Sequence, residues 1–514
     1  MRGIARTVLI QTLLVGLFLM MHTQPANHRS RRSFLKAVGG LGSLALAPWS
    51  RSLAAESRLT DLLILLPGIT GSVLQKNNKD VWAVTTESVG SALTTLGRNL
   101  QGLELKEDPQ DVEDLGDGVV ATGLFPDVHL IPGFWKIDGY GGVRAALSER
   151  LKLAGAQNYV EFPYDWRRDN RVAARKLARL VPAWLDQWQK VSGNADAKVV
   201  FIAHSMGGLV ARYYLECLEG WRYTRKLITF GTPYRGSLNA LDFLSNGYGK
   251  TFAGFNVADL SALMRSFTSV YQLLPRYPCV DMGDGAMRRP GEVRGLPNID
   301  PAKAAASLAF HHELDRAIRA NAESKEYKAY QVHPIIGTDQ PTKQSARIRA
   351  GRLVPFNELN GADESGDGTV PRPSAIPLGP KPDDDLAFGR AALFVSGVHG
   401  SLQNLPQVVA QVSYVLLEPK FEAYRPASEA FSLGVDDAYL VGEPVRIRCD
   451  AGTMTPGALL IVEEAATGKQ IFKRNLVPES NEPTSVELLP VGTYRAALEA
   501  EGRRLISDVF LVSR

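Results

Sequence analysis

Val199-Val200-Phe201-Ile202-Ala203-His204-Ser205-Met206-Gly207-Gly208 is the stretch on which the reading of this chain turns. Four apolar residues suited to a strand run into a serine flanked by small residues, and the chain beyond it reads as helix. A sharp strand-to-helix turn of this kind lifts a serine hydroxyl out of its sheet, the shape of a nucleophile elbow. It points to acyl transfer through a serine ester. The bare pattern of small residue, x, Ser, x, Gly arises readily by chance at average residue usage, so the rest of the chain must support it.

Working outward, Leu62-Leu63-Ile64-Leu65-Leu66 and Leu227-Ile228-Thr229-Phe230 are also apolar almost throughout, as strands buried on both faces must be. Between them, Leu177, Leu180, Val181, Trp184, Leu185 and Trp188 make a helical stripe within Arg171 to Val191. This reads as a crossover helix, with any bend expected at Pro182. From Leu62 to about Leu417 such runs alternate with amphipathic helices, the signature of a mostly parallel sheet covered on both faces. From about Ala430 the texture changes. Val445 to Cys449, Ala458 to Val462, Val486 to Leu488 and Tyr494 to Leu498 are short β-type runs between Gly, Pro and Asn turns. They predict a small β-sandwich, immunoglobulin-like or fibronectin-like in outline.

A serine hydroxyl is a poor nucleophile until a base takes its proton, and that imidazole must be held in one tautomer by a carboxylate. In an α/β-hydrolase the chain order is Ser, acid, His. His129 lies upstream of Ser205, His204 is inside the elbow, His311 and His312 sit in a polar helical stretch, and His333 is in a strand-like run. His399 remains, in a Gly-bracketed loop after Phe394-Val395-Ser396. Asp367, in Gly366-Asp367-Gly368-Thr369-Val370-Pro371, is the leading acid, with Asp363, Glu364 and Asp383-Asp384-Asp385 as rivals. The oxyanion of the tetrahedral intermediate needs two donors. One is expected from the amide of Met206, the residue after the nucleophile. The other is expected from Ile69, in the loop Leu66-Pro67-Gly68-Ile69-Thr70-Gly71-Ser72.

The first fifty-odd residues read as an address. Ser30-Arg31-Arg32-Ser33-Phe34-Leu35-Lys36 resembles the twin-arginine export pattern, the apolar run Ala37 to Ala47 follows, and Ser52-Leu53-Ala54 offers a cleavage site. The expected localisation is periplasmic or secreted, with the twin-arginine translocase as a partner during export. Val8 to Met21 is a second apolar stretch, too short to span a bilayer comfortably, so a translation start at Met20 or Met21 is expected. Residues 1–54 hold seven of the 58 Lys and Arg and none of the 54 Asp and Glu, leaving 51 basic against 54 acidic residues beyond them. The net charge there is about −3, which removes any electrostatic case for nucleic acid or for anionic membranes. Cys217, Cys279 and Cys449 are widely spaced and suggest neither a disulfide framework nor a metal site. No cofactor is implied.

Seven pieces of the chain, in order, resemble the lecithin:cholesterol acyltransferase family, which includes lysosomal phospholipase A2 and phospholipid:diacylglycerol acyltransferases. They are Pro67-Gly68-Ile69-x-Gly71-Ser72, Phe162-Pro163-Tyr164-Asp165-Trp166-Arg167, the elbow at Ala203 to Gly208, Ile228 to Ser237, Tyr271-Gln272-Leu273-Leu274-Pro275, Gly366 to Pro371, and His399. Together they cover about residues 61 to 410. The resemblance implies Ser205, Asp367 and His399 as a triad and the loop at Ile69 as half of an oxyanion hole. It also offers Tyr164, Asp165 and Trp166 as substrate-binding wall, against the alternative of a buried structural cluster. Two departures stand out. No cysteine pair precedes the Pro-Tyr-Asp-Trp-Arg element, so the disulfide-bound lipid-surface loop of animal members is not expected, and the tail after Ala430 matches nothing in the family.

Between Gly236 and Pro275 the chain reads as a mobile loop, Asn246 to Lys250, followed by one helix carrying Val257, Leu260, Met264, Phe267, Tyr271 and Leu274 on a single apolar stripe. Ordinary packing explains such a stripe; so does a lid that opens toward lipid. The expected organisation is a leader over 1–54, an α/β-hydrolase domain over 55–425 with a cap or lid at about 236–330, and the β-sandwich over 430–514. The expected function is lipid acyl transfer from a phospholipid or other ester to an alcohol or water, with the lipid or other ester substrate met at a membrane or micelle surface. A plain lipase, esterase or phospholipase is the alternative, followed by a peptidase or amidase on the same core and a non-catalytic binding or surface protein.

Overall fold

Six strands form the central sheet: β1 (Leu62–Leu66), β2 (Tyr159–Glu161), β3 (Val199–His204), β4 (Thr224–Phe230), β5 (Gln331–Thr338) and β6 (Leu393–Ser396). Their order is β2-β1-β3-β4-β5-β6, and every pairing is parallel. All residues of β1 and β3 are buried, which is why their sequences are apolar runs instead of alternating patterns. The computed structural model describes residues 59–82, 101–131, 135–153, 157–247, 258–381, 384, 388, 391–417, 431–450, 458–476 and 482–513. The leader and its expected cleavage site lie outside the described residues.

The helices are α1 (Gly141–Leu151), α2 (Asn170–Ser192), α3 (Met206–Cys217), α4 (Leu238–Asn246), α5 (Ala258–Met264), α6 (Thr268–Tyr271), α7 (Pro301–Glu323) and α8 (Pro406–Leu417). The crossover helix is α2, which runs through Pro182. Asp169 caps it by accepting the Arg171 amide at 2.8 Å, and Gly193, at φ 68°, ends it in the left-handed conformation that glycine adopts without penalty. Its buried stripe is Leu177, Val181, Leu185 and Trp188. Helix α2 packs on α3 and α3 on α7, while α1 packs on α8. The connection from β1 to β2 steps one way along the sheet and that from β3 to β4 steps the other, so right-handed crossovers place their helices on opposite faces. Where the direction reverses, between β1 and β3, the loops leaving the strand ends diverge and open a crevice. Pro67 to Ser72 and Ser205 leave the sheet there. An all-parallel sheet layered in this way fits an α/β-hydrolase.

Phe230 leads into an excursion that returns to its own start: the Ser237 amide donates to Leu273 O at 2.8 Å and the Arg276 amide to Arg235 O at 3.1 Å. The single helix expected here is instead two, α5 and α6, with Phe267 extended between them at φ −82°, ψ 122°. The break is held from a distance. Lys303 Nζ, on α7, donates to the carbonyls of Arg265 and Ser266 at 3.1 and 2.9 Å, and the Leu105 amide donates to Ser266 Oγ at 3.1 Å. Met264, Phe267, Tyr271 and Leu274 of the stripe are buried in the main core. Val257 lies outside the described residues.

The C-terminal strands are β7 (Ser432–Val435), β8 (Ala438–Leu440), β9 (Val445–Asp450), β10 (Leu459–Glu464), β11 (Gln470–Asn475), β12 (Thr484–Val486), β13 (Gly492–Ala500) and β14 (Arg503–Ser513). They make two sheets, β7-β9-β12 and β8-β14-β13-β10-β11. Val445 and Ile447 from the first and Leu460, Val462, Ile506 and Phe510 from the second share one apolar cluster. Arg58–Arg514 forms one compact unit.

Candidate active site

Ser205 sits at φ 52°, ψ −123°, between the last residue of β3 and the first of α3. A residue with a Cβ is strained there by about 1–3 kcal/mol, and such strain persists only where the surroundings over-determine it. They do. The Ser205 amide donates to Phe230 O at 2.8 Å. A Cβ on Gly207 would lie 2.5 Å from Pro67 O, and one on Gly208 would lie 2.0 Å from Thr232 Oγ1. The small residues after the serine are therefore a steric condition for the turn. Met206 is the first residue of α3, so its amide has no acceptor within the helix and stands at the positive end of the helix dipole.

Asp367 and His399 meet although 32 residues separate them: Nδ1 of His399 lies 2.6 Å from Oδ2 of Asp367, and the His399 amide donates to Asp367 O at 2.9 Å. The other carboxylate oxygen, Oδ1, accepts the amides of Thr369 and Val370 at 3.0 and 2.7 Å, so only Oδ2 is aimed at the imidazole. Facing a carboxylate, Nδ1 carries the proton, which leaves Nε2 as the basic nitrogen. Both side chains are buried. The rivals are engaged elsewhere. Asp363 accepts from Gln344, Glu364 pairs with Arg372, and Asp384 accepts the Lys381 amide; Asp383 and Asp385 lie outside the described residues. The pair lies beside the end of β4: Gly231 follows Phe230, whose carbonyl accepts the Ser205 amide, and a Cβ on Gly231 would lie 2.7 Å from Asp367 Oδ2 and 2.9 Å from His399 Nδ1.

Gly68 to Ser72 covers the elbow from the other side. A Cβ on Gly68 would lie 3.0 Å from Ser205 Cβ. The Gly68 amide donates to the Tyr140 hydroxyl at 2.8 Å, whereas the Ile69 amide has no acceptor among the described residues. Tyr140 in turn donates to Nδ1 of His204 at 2.9 Å, and Nε2 of His204 donates to His399 O at 3.1 Å. That direction follows from chemistry: a carbonyl only accepts, and His204 is neutral. Burial, aided by the nearby His399 imidazole, pushes its pKa down to about 3. One chain of hydrogen bonds thus links the loop, the residue before the serine and the backbone of His399.

Tyr164 and Trp166 are buried against the backbone of the same loop. Tyr164 donates to Pro67 O at 2.9 Å, Trp166 to Ser72 O at 3.1 Å, and the Tyr164 amide to Ser72 Oγ at 3.1 Å. Asp165 pairs with Arg167 at 2.6 Å. Tyr164 and Trp166 therefore brace the loop, and Asp165 braces Arg167. Two cavities lie near the site. One, of about 610 Å³, reaches Asp367 and Val398 from the side of the C-terminal strands; the other, of about 250 Å³, touches Tyr164 and Asp165. Ser205 lines neither, and it has no exposed surface. Among the described residues no group of three or more His, Cys, Asp or Glu is arranged to hold a metal ion.

Tyr140 was not among the residues expected from the sequence. Its only local signal is the glycine run around it, Gly139-Tyr140-Gly141-Gly142, where a Cβ on Gly139 would meet Pro126 O at 2.4 Å.

Residues 149–296 match the family model Lecithin:cholesterol acyltransferase. The resemblance drawn from the motifs holds over that segment, which contains the Phe162 to Arg167 element, the elbow, Ile228 to Ser237 and Tyr271 to Pro275. The lecithin:cholesterol acyltransferase match points to an enzyme acting on esters, by acyl transfer or hydrolysis. No curated protein matches the chain significantly. Among solved structures, the mature form of the lipase BlEst2 from Bacillus licheniformis is similar at 13% identity and a TM-score of 0.32, covering 70% of this chain and 92% of that one. Phospholipase PlaB from Legionella pneumophila is similar at 10% identity and a TM-score of 0.23, covering 88% of this chain and 92% of that one. The fold assignment rests on the strand order, not on these likenesses.

Proposed function

We propose that this chain is a serine-dependent lipid acyltransferase that works through an acyl-enzyme. Nε2 of His399 takes the proton of Ser205 Oγ as that oxygen attacks the ester carbonyl, the amides of Ile69 and Met206 hold the oxyanion, and the proton passes to the departing alcohol as the old ester bond breaks. Asp367 holds the imidazole and stabilises its charged form. The acyl group then moves from Ser205 to an acceptor alcohol, or to water, by the same steps in reverse. What supports this reading is a hydrogen-bonded Asp367–His399 pair beside the end of β4 together with a strained serine turn at the crevice between β1 and β3. Transfer over hydrolysis is supported by the family match, and it requires that the site, once acylated, keep water from the acyl-enzyme while admitting the alcohol.

In this reading the elements between 236 and 330 form the cap that must move to admit a lipid, the two C-terminal sheets form a β-sandwich, and the leader directs twin-arginine export to the periplasm or beyond. The test is fluorophosphonate labelling with site mapping, followed by phospholipid turnover with and without a long-chain alcohol. Label on Ser205, none in Ser205→Ala, and formation of a new ester support transferase. Fatty acid as the sole product, with alcohol present, selects the lipase or phospholipase reading. Label elsewhere refutes the mechanism.

A further inference from the structure

We infer that the C-terminal strands are a working part of the catalytic apparatus: they hold His399 in place through Val398 and through the Lys136–Tyr140 segment, with Val398, Asp138 and Arg495 as positioning residues. The inference rests on His399 being the base. Val398, immediately before it, is buried in the apolar cluster whose other buried members all come from Phe431 to Val512. The imidazole is thus one residue away from a side chain packed in the C-terminal core.

The residue after the base is held as closely. Gly400 O accepts the Asp138 amide at 2.8 Å, and a Cβ on Gly400 would lie 2.0 Å from Lys136 O. That segment is gripped by charges from the C-terminal strands. Lys136 Nζ lies 2.7 Å from Asp508 and 3.1 Å from Asp437. Asp138 takes both Nε and Nη2 of Arg495, whose Nη1 lies 2.8 Å from Glu463. Two residues further on, Tyr140 reaches Gly68 and His204. The Asp367 loop is tied in as well: Gln340 donates its amide to Gly366 O at 3.0 Å, while its side chain donates to Phe431 O at 2.9 Å and accepts the Leu433 amide at 3.2 Å.

The loops carrying the acid, the base and the oxyanion donor are therefore each fastened to the C-terminal strands. Burying paired charges such as Asp138 and Arg495 gains little stability over an apolar contact, but it fixes register between the groups it joins. A domain that only bound a surface or kept the protein soluble would have no need to seat the residue next to the base in its own core.

The experiment is steady-state kinetics of the full chain on a soluble p-nitrophenyl ester, with a thermal melt of each variant. Val398→Ala and Arg495→Ala are expected to lower kcat about 10- to 100-fold, as small misplacements of a catalytic group do, with KM within about twofold. Val398→Ile restores kcat, and Arg495→Lys, which cannot reproduce the two-pronged contact, falls between. Val486→Ala, in the same C-terminal core but on β12, which carries none of the clamp residues, is the control: it lowers the melting temperature and keeps kcat. If Val398→Ala fails to fold, Arg495→Lys carries the test. Wild-type kcat in folded Val398→Ala or Arg495→Lys would overturn the inference, as would an equal loss in Val486→Ala. Failure of the underlying mechanism looks different, since the wild-type protein itself would then take no label on Ser205.

Discussion

Replacing Gly231 with alanine will cut turnover while leaving the fold in place. Gly231 sits at φ 53° under the acid–base pair, and an added Cβ would lie 2.7 Å from Asp367 Oδ2, 2.9 Å from His399 Nδ1 and 3.1 Å from His399 Cε1. Ordinary contact begins near 3.4 Å, so the pair must recede by about 0.7 Å, the difference between 3.4 and 2.7 Å. Asp367 has nowhere to go. On its far side a Cβ on Gly337 would already lie 2.5 Å from Asp367 Cβ, and the amides of Thr369 and Val370 hold its Oδ1. The displacement falls on the imidazole and on the 2.6 Å bond that orients it. A shift of this size costs about 10- to 100-fold in kcat, while a non-glycine residue at positive φ costs about 1–2 kcal/mol of stability. Kinetics on a soluble ester and urea melts measure the two effects separately. KM stays near wild type, and fluorophosphonate labelling of Ser205 slows in step with kcat. A folded Gly231→Ala protein with wild-type kcat would refute the placement of the pair or its role in the reaction.

Tyr140→Phe leaves the Gly68 amide and Nδ1 of His204 buried without their partner, a loss of about 1–3 kcal/mol for each in a urea melt; an unchanged melt would mean the network does not hold the loop. Ser205→Gly abolishes ester turnover yet exceeds Ser205→Ala in stability by about 1 kcal/mol, because glycine alone tolerates the backbone at Ser205; equal stabilities would show that the turn is not strained. Burial pushes His204 and His311 down to about 3 and His333 down to about 4, helped by the neighbouring His399 imidazole for His204 and by the charges of Arg276 and Lys226 for the other two. Below the unfolded value near 6.5 the unfolded chain binds more protons at these sites. Their contribution is therefore whole above pH 6.5 and falls as pH drops toward 3 or 4, by about 1.4 kcal/mol per pH unit for each group within its window. Urea melts from pH 7 to pH 4.5 measure the slope, and His204→Gln is expected to flatten it; an unaltered slope would count against a buried neutral His204.

Much of the fold is legible because local sequence must satisfy what tertiary burial demands. Strands covered on both faces tolerate only apolar residues, so β1 and β4 announce themselves at Leu62 to Leu66 and at Leu227 to Phe230. The helix α2 announces itself by its stripe. The elbow is legible for a steric reason, since Gly207 and Gly208 have no room for a Cβ. His399 could be reached by elimination, because chain order and context left little else. The choice among carboxylates could not: Asp363, Glu364 and Asp367 share one acidic, glycine-rich stretch, and only the chain path through Gly337 and Gly231 turns Asp367 toward the imidazole.

Sequence by itself determined which segments must be strands and helices, the order in which they follow, and the small residues that the elbow requires, because each is a property of neighbours along the chain. Tertiary structure alone decided the break at Phe267, held by Lys303 some 37 residues away, and the role of Tyr140, which bonds partners 64 and 72 residues distant. It also decided the attachment of Val398 to the C-terminal core. A hydrogen bond or an apolar contact leaves no trace in the spacing of residues when its two ends are brought together only by the path of the whole chain.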